Sequence, residues 1–179
     1  MNVGRPETDE IPAHFVGYIG KVTESDPVAV LASQIDVTAA LLRGLSDADA
    51  LKRYAPGKWS VKEIVGHLAD TERIMAYRAL RIARGDETPL PGFDENAYVP
   101  AGQFDARPLR SLVDEFRAVR QGTLALVQSV PPERWGERGE ASGKAVSARA
   151  LAYILVGHVT HHFGVLRERY GVGQPKAHG

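Results

Sequence analysis

Late in the chain, two histidines stand four residues apart inside the run Gly157-His158-Val159-Thr160-His161-His162-Phe163-Gly164. On a helix, that spacing puts His158 and His162 on one face, one turn apart, where two imidazoles can share a metal ion. Leu151, Leu155, His158, His162 and Val165 follow the spacing of a bundle seam, so both rings turn inward. A bare ring nitrogen is costly there, and a bound ion would satisfy both. Val159 occupies the position that glutamate takes in the metalloprotease signature, so proteolysis of that type is not supported.

A third ligand must come from another element. His67 is the only other histidine set within a long amphipathic segment. Taken alone it reads as a partly exposed surface residue; taken with the pair it completes a three-histidine site between two helices, as in bundle-core metal sites. Three imidazoles leave a coordination position for water or substrate, which marks a catalytic site more than a structural one. The competing account makes the pair ordinary core histidines, hydrogen-bonded to neighbours or water. His161 is assigned to the flank, with a supporting role to a ligand as its alternative. His14 and His178 fall in the arm and tail and are expected to be solvated. Asp70 and Thr71, one turn beyond His67, can either orient its ring or face solvent. Arg73, Arg78, Arg81 and Arg84 trail along the same segment; most should be solvated, and one could meet an anionic substrate.

The elements that must position these residues read as four long amphipathic helices. Asp26-Pro27 is an N-cap followed by proline at the first helical position, and Val30, Leu31, Ile35, Thr38, Leu41 and Leu42 continue at helical spacing to Gly44. After a short helical piece over 47–53 and the breaker Pro56-Gly57, Ser60 with Glu63 forms a capping box that starts a second helix running to Gly85-Asp86. Residues 86–108, with four prolines and the aromatics Phe93, Tyr98 and Phe104, form a long irregular crossover covering one end of the bundle. Pro108 opens a third helix that Pro131-Pro132 closes, and Ser147 caps a fourth that runs to about Tyr170 and carries the histidine pair. Residues 1–25 read as an N-terminal arm packing on the bundle through Ile11, Phe15, Val16, Tyr18 and Ile19. No alternating pattern reads as a strand. The fold class is all-α, a four-helix bundle, with residues 1–179 as a single domain.

Composition narrows the function classes. The 22 basic residues balance the 22 acidic ones, so no global basic field attracts nucleic acid, and no apolar stretch is long enough to span a bilayer. With no cysteine there is no thiolate ligand and no thiol nucleophile in the chain, which leaves histidine and carboxylate as ligand types. The polar, acidic residues 1–10 do not resemble a signal peptide, so a cytoplasmic location is expected.

The chain resembles the DinB-like superfamily of metal-binding four-helix bundles, near the provisionally assigned metal-dependent hydrolases of the YfiT type. The resemblance rests on Arg5-Pro6, Asp26-Pro27, the run from Ala55 to Leu68, the segments Arg84-Gly85-Asp86 and Leu90 to Asp94, and Gly157-His158 with His162. It covers nearly the whole chain. It implies metal ligation by His67, His158 and His162, with zinc or nickel as the ion, and a homodimer; three imidazoles by their own chemistry suit iron(II) as well. It implies two chemistries: hydrolysis by a water or substrate held at the metal, or S-transfer in which the metal activates a low-molecular-weight thiol such as bacillithiol or mycothiol. A non-catalytic metal-binding stress-response module is a third reading, and a plain helical dimerisation protein a fourth. The expected partner of either enzyme is a small molecule.

Overall fold

The computed structural model describes residues 3–173; His178 lies outside them. The arm makes two single 3-10 turns, Thr8–Glu10 and Ala13–Phe15, and then a short helix α1 (Val16–Ile19). The bundle comprises α2 (Pro27–Leu42), α3 (Val61–Ala83), α5 (Leu109–Gln128) and α6 (Ala148–Tyr170), with α4 (Glu95–Gly102) in the crossover. The helices begin where the sequence places caps. Asp26 Oδ1 accepts from Val28 N at 3.0 Å, Ser147 Oγ accepts from Ala150 N at 3.1 Å, and Ser60 and Glu63 exchange bonds at 3.0 and 2.8 Å as a capping box.

Helix α3 packs against both α5 and α6, and α2 packs against the same two, so α2 and α3 occupy opposite sides of the bundle. The connections from α2 to α3 and from α5 to α6 therefore cross it diagonally. The apolar core falls into two clusters, one around Leu31, Met75, Leu151 and Ile154, the other around Leu68, Leu112, Phe116 and Leu166. Each helix passes from one cluster to the other at buried polar residues: Gln34 and Thr38 on α2, Thr71 and Glu72 on α3, Arg120 and Thr123 on α5, His158 on α6.

Two expectations need correction. Residues 138–147 form an antiparallel hairpin, β1 (Arg138–Ala141) with β2 (Lys144–Ser147), joined by Ser142-Gly143 with φ of 54° and 71°. Two successive positive φ values define a tight hairpin turn matched to strand twist. Each strand has four residues and mixed burial, too short to show alternation. The crossover is also not wholly irregular: Asp94 caps α4 by accepting from Asn96 N at 2.9 Å, and Gln103, at φ 47°, ends it. Pro100 within that helix disguises it in the sequence.

The arm is tied to this hairpin by charge. Glu10, 2% exposed, accepts from Arg149 Nε at 2.6 Å and Ser147 Oγ at 3.1 Å. Those bonds hold the Glu10 carboxyl below the usual carboxylate range, Arg149 first, against the opposing effect of burial. Helix α1 then lies against α6, where a Cβ on Gly157 would overlap the Tyr18 carbonyl. Only glycine admits that approach, and it brings the Tyr18 ring beside His158.

Candidate metal centre

His67 projects from α3, and His158 and His162 from α6, into the same interior space; they are 6%, 6% and 9% exposed. One ring nitrogen from each lies within 4.8 Å of the others. His67 Nε2 and His158 Nε2 are 3.0 Å apart, and the ring centroids are separated by 4.9 Å (His67–His158), 5.1 Å (His67–His162) and 4.6 Å (His158–His162). The i,i+4 spacing on α6 stacks its pair, and the contact of α3 with α6 supplies the third ring.

The site is electrically unusual because it gathers three bases with little to protonate them. Burial pushes His67 down to about 4 and His162 down to about 3. His158 falls well below the ordinary value, first by burial and then by the neighbouring imidazoles. All three rings are therefore neutral near pH 7, with an electron pair available to a cation. Partners are few. Thr71 Oγ1 lies 3.4 Å from His67 Nδ1, and His162 Nδ1 is buried without a hydrogen-bond partner. Three neutral rings this close, with His162 Nδ1 lacking a partner, fit a bound divalent ion better than a hydrogen-bonded histidine cluster, in which buried polar atoms normally find partners.

Of the two residues beyond His67, Thr71 reaches its ring, whereas Asp70 turns away to pair with Arg73 at 3.2 Å. His161 sits to the side, its ring 5.2 Å from Tyr18 and 5.1 Å from His162. His14 is exposed. Among the arginines, Arg73 pairs with Asp70 and Glu115, Arg81 pairs with Asp86, and Arg84 reaches Ser129 at 3.4 Å. Arg78 alone of the four is buried.

Two cavities flank the histidines. One, about 410 Å³, is reached by His67 and His158 and bounded by Tyr18, Arg78, Phe93 and Ser142. The other, about 300 Å³, is reached by His162 and walled by Tyr54, Trp59 and Tyr170. The Trp59 ring packs 4.7 Å from His67, and Tyr170 donates a hydrogen bond to the Trp59 carbonyl. Reasoning on the sequence missed Tyr18, Trp59 and Ser142 as walls of the site. Tyr18 reads there only as apolar packing, and Ser142 sits on a hairpin with no visible strand pattern; the Ser-Gly pair was the one available turn signal.

Residues 31–166 match the family model of the DinB superfamily. A curated protein of Oceanobacillus iheyensis, provisionally named a metal-dependent hydrolase, is 25% identical over 130 residues, which span 70% of this chain and 73% of that protein. Among solved structures, YfiT of Bacillus subtilis superposes with a TM-score of 0.69 at 16% identity, covering 97% of this chain and 100% of that one. It is described as having an unusual four-helix bundle topology and as a provisional metal-dependent hydrolase. A mycothiol-dependent maleylpyruvate isomerase superposes with a TM-score of 0.68 at 13% identity, covering 87% of this chain and 63% of that one. The last two likenesses establish the fold: a helical bundle with one small hairpin. No helix among the described residues is long and apolar enough to cross a membrane.

Proposed function

The chain belongs to the DinB superfamily, and on that premise we propose that it is a metal-dependent enzyme acting on a small molecule, with hydrolysis as the leading reaction. His67, His158 and His162 would hold one divalent ion, zinc or nickel by preference, since three imidazoles also suit iron(II) and selectivity follows geometry and supply. The observation that carries this reading is the convergence of three buried, neutral imidazoles within 4.8 Å. Among the described residues no carboxylate joins that group, which favours a position open to substrate.

Such an ion supplies Lewis-acid polarisation of an oxygen or sulfur donor. The chain's own residues supply the rest. Thr71 steadies His67 through Nδ1, leaving Nε2 turned toward His158. The Tyr18 ring stands edge-on to His158 at 5.5 Å and Trp59 packs on His67, so apolar surface limits water at the rings.

Thiol-dependent transfer is the second reading. It is supported by the likeness in fold to a mycothiol-dependent isomerase and by the two cavities, which give separate room for a thiol and an electrophile. With no cysteine in the chain, any thiol must arrive as a ligand.

The test is elemental analysis of protein purified without chelator or nickel resin, alongside His158→Ala and His67→Ala. The expected outcome is close to one ion per chain in the wild type and affinity lowered more than about a hundredfold in each variant, beyond what loss of a supporting residue causes. A wild type that takes up neither zinc nor nickel would overturn the proposal. Ester turnover with and without added thiol then separates the two reactions.

A further inference from the structure

Five charged side chains among the described residues are buried: Glu10, Lys62, Glu72, Arg78 and Arg120. Four have an opposite charge against them. Glu10 pairs with Arg149, Lys62 with Asp47 at 2.8 Å, and Glu72 with Arg120 at 2.8 Å. Arg78, 3% exposed, has none. Its NH2 group donates to the Pro91 carbonyl at 2.7 Å and to Ser142 Oγ at 2.9 Å, its NH1 points at Met75 Sδ at 3.7 Å, and the Phe93 ring lies beneath it at 5.6 Å. A guanidinium has five donor hydrogens and stays charged near neutral pH, so the charge is buried with polar and aromatic partners but no carboxylate paired with it among the described residues.

The place of this cation matters more than its cost. His67, Thr71, Met75 and Arg78 follow one another along a single face of α3, and all four border the 410 Å³ cavity. At about 1.5 Å per residue, Arg78 lies roughly 16 Å along the helix axis from His67. The walls between them include Phe15, Tyr18 and Phe93. Ser142, whose hydroxyl accepts from Arg78, adopts φ 54°, a conformation that an L residue seldom takes, at the hairpin tip.

We propose that this cavity admits an elongated ligand carrying a single carboxylate, which the Arg78 guanidinium binds at the end remote from the three histidines. The inference rests on the metal-enzyme reading and names the class of its substrate or co-substrate. With both NH2 hydrogens engaged by Pro91 and Ser142, the Nε hydrogen and one NH1 hydrogen remain to meet a carboxylate's oxygens. A dianion is disfavoured because Glu95 borders the same cavity and Arg78 is the permanent cation there. An apolar body between the charged end and the reacting end suits the aromatic walls.

Hexanoate and its neutral isostere hexanamide, titrated by calorimetry into zinc-loaded and into chelator-treated protein, provide the test. The wild type should bind hexanoate about ten- to a hundredfold more tightly, the range expected for hydrogen bonds to a charged group. The preference should vanish in Arg78→Met and persist in part in Arg78→Lys, which keeps the charge without the fork, while zinc stoichiometry stays the same in all three. Circular dichroism checks that the variants fold. Equal affinity for acid and amide, no binding of either, or a preference unchanged in Arg78→Met would overturn the inference. Failure of the metal reading appears separately, as absence of zinc uptake.

Discussion

Two polar groups interrupt the same apolar interior, and they are built on opposite principles. On the α2 and α5 side, Arg120 is fully buried, yet its NH2 donates to Glu72 Oε2 at 2.9 Å, its Nε lies 2.8 Å from Glu72 Oε1, and its NH1 donates to Gln34 Oε1 at 2.7 Å. Gln34 in turn donates to the Val156 carbonyl at 3.0 Å and to Thr160 Oγ1 at 3.1 Å, so one network joins α2, α3, α5 and α6. Burial pushes the Glu72 carboxyl up and Arg120 down, and each partner's charge pulls the other back. On the other side, three imidazoles of one chemical kind face each other, and His162 Nδ1 has no hydrogen-bond partner. The first group sets each buried charge against an opposite one and can serve as a structural clamp. The second gathers three neutral bases with no acid or cation among them in the described residues, which leaves ring electron pairs for a bound ion.

The largest effect that would sharpen this contrast comes from Arg120→Met. It leaves Glu72 buried without its cation and should lower unfolding free energy by about 3–5 kcal/mol in urea denaturation. A loss under 1 kcal/mol would show that the network is not the clamp described.

The histidines should reveal themselves through pH instead. In metal-free protein, His67 has a folded pKa of about 4 against an ordinary 6.5. The unfolded chain therefore binds its proton more readily than the folded one does. The folded state should lose stability as pH falls from about 6.5 to about 4 and level off below, a share of about 3 kcal/mol from this residue. Measuring metal-free wild type against His67→Gln isolates that share from the carboxylates that also titrate there. Parallel stability curves for the two proteins would contradict it, and saturating zinc should shift the fall toward lower pH.

Thr71→Val is the smallest of the three changes. It removes the hydroxyl contact to His67 Nδ1 while keeping shape, and should weaken zinc binding about tenfold with little change in stability. Unaltered affinity in a competition titration would mean that the 3.4 Å contact does not orient the ring.

These expectations rest unequally on sequence and structure. The bundle helices were legible because their signals are local: Asp26-Pro27, the Ser60–Glu63 box and Ser147 each satisfy free backbone donors within three residues, and the apolar stripes repeat at the helical period. The His158–His162 relationship was legible for the same reason, since four residues on one helix fix a shared face. The hairpin was not, because two four-residue strands carry too few positions for a period to show. Helix α4 was hidden by Pro100.

What the sequence determined by itself is therefore the local order of the chain, the all-α class and the chemical identity of the three candidate ligands. Tertiary structure alone decided that His67 meets the pair, because that depends on α3 packing against α6 across the bundle. It also decided that Gly157 admits Tyr18 beside His158, that Arg120 finds Glu72, and that Arg78 finds no anion. Each of those facts joins residues far apart in the chain. Local periodicity reports which face a residue occupies on its own helix, whereas burial and pairing depend on what the rest of the fold brings against that face.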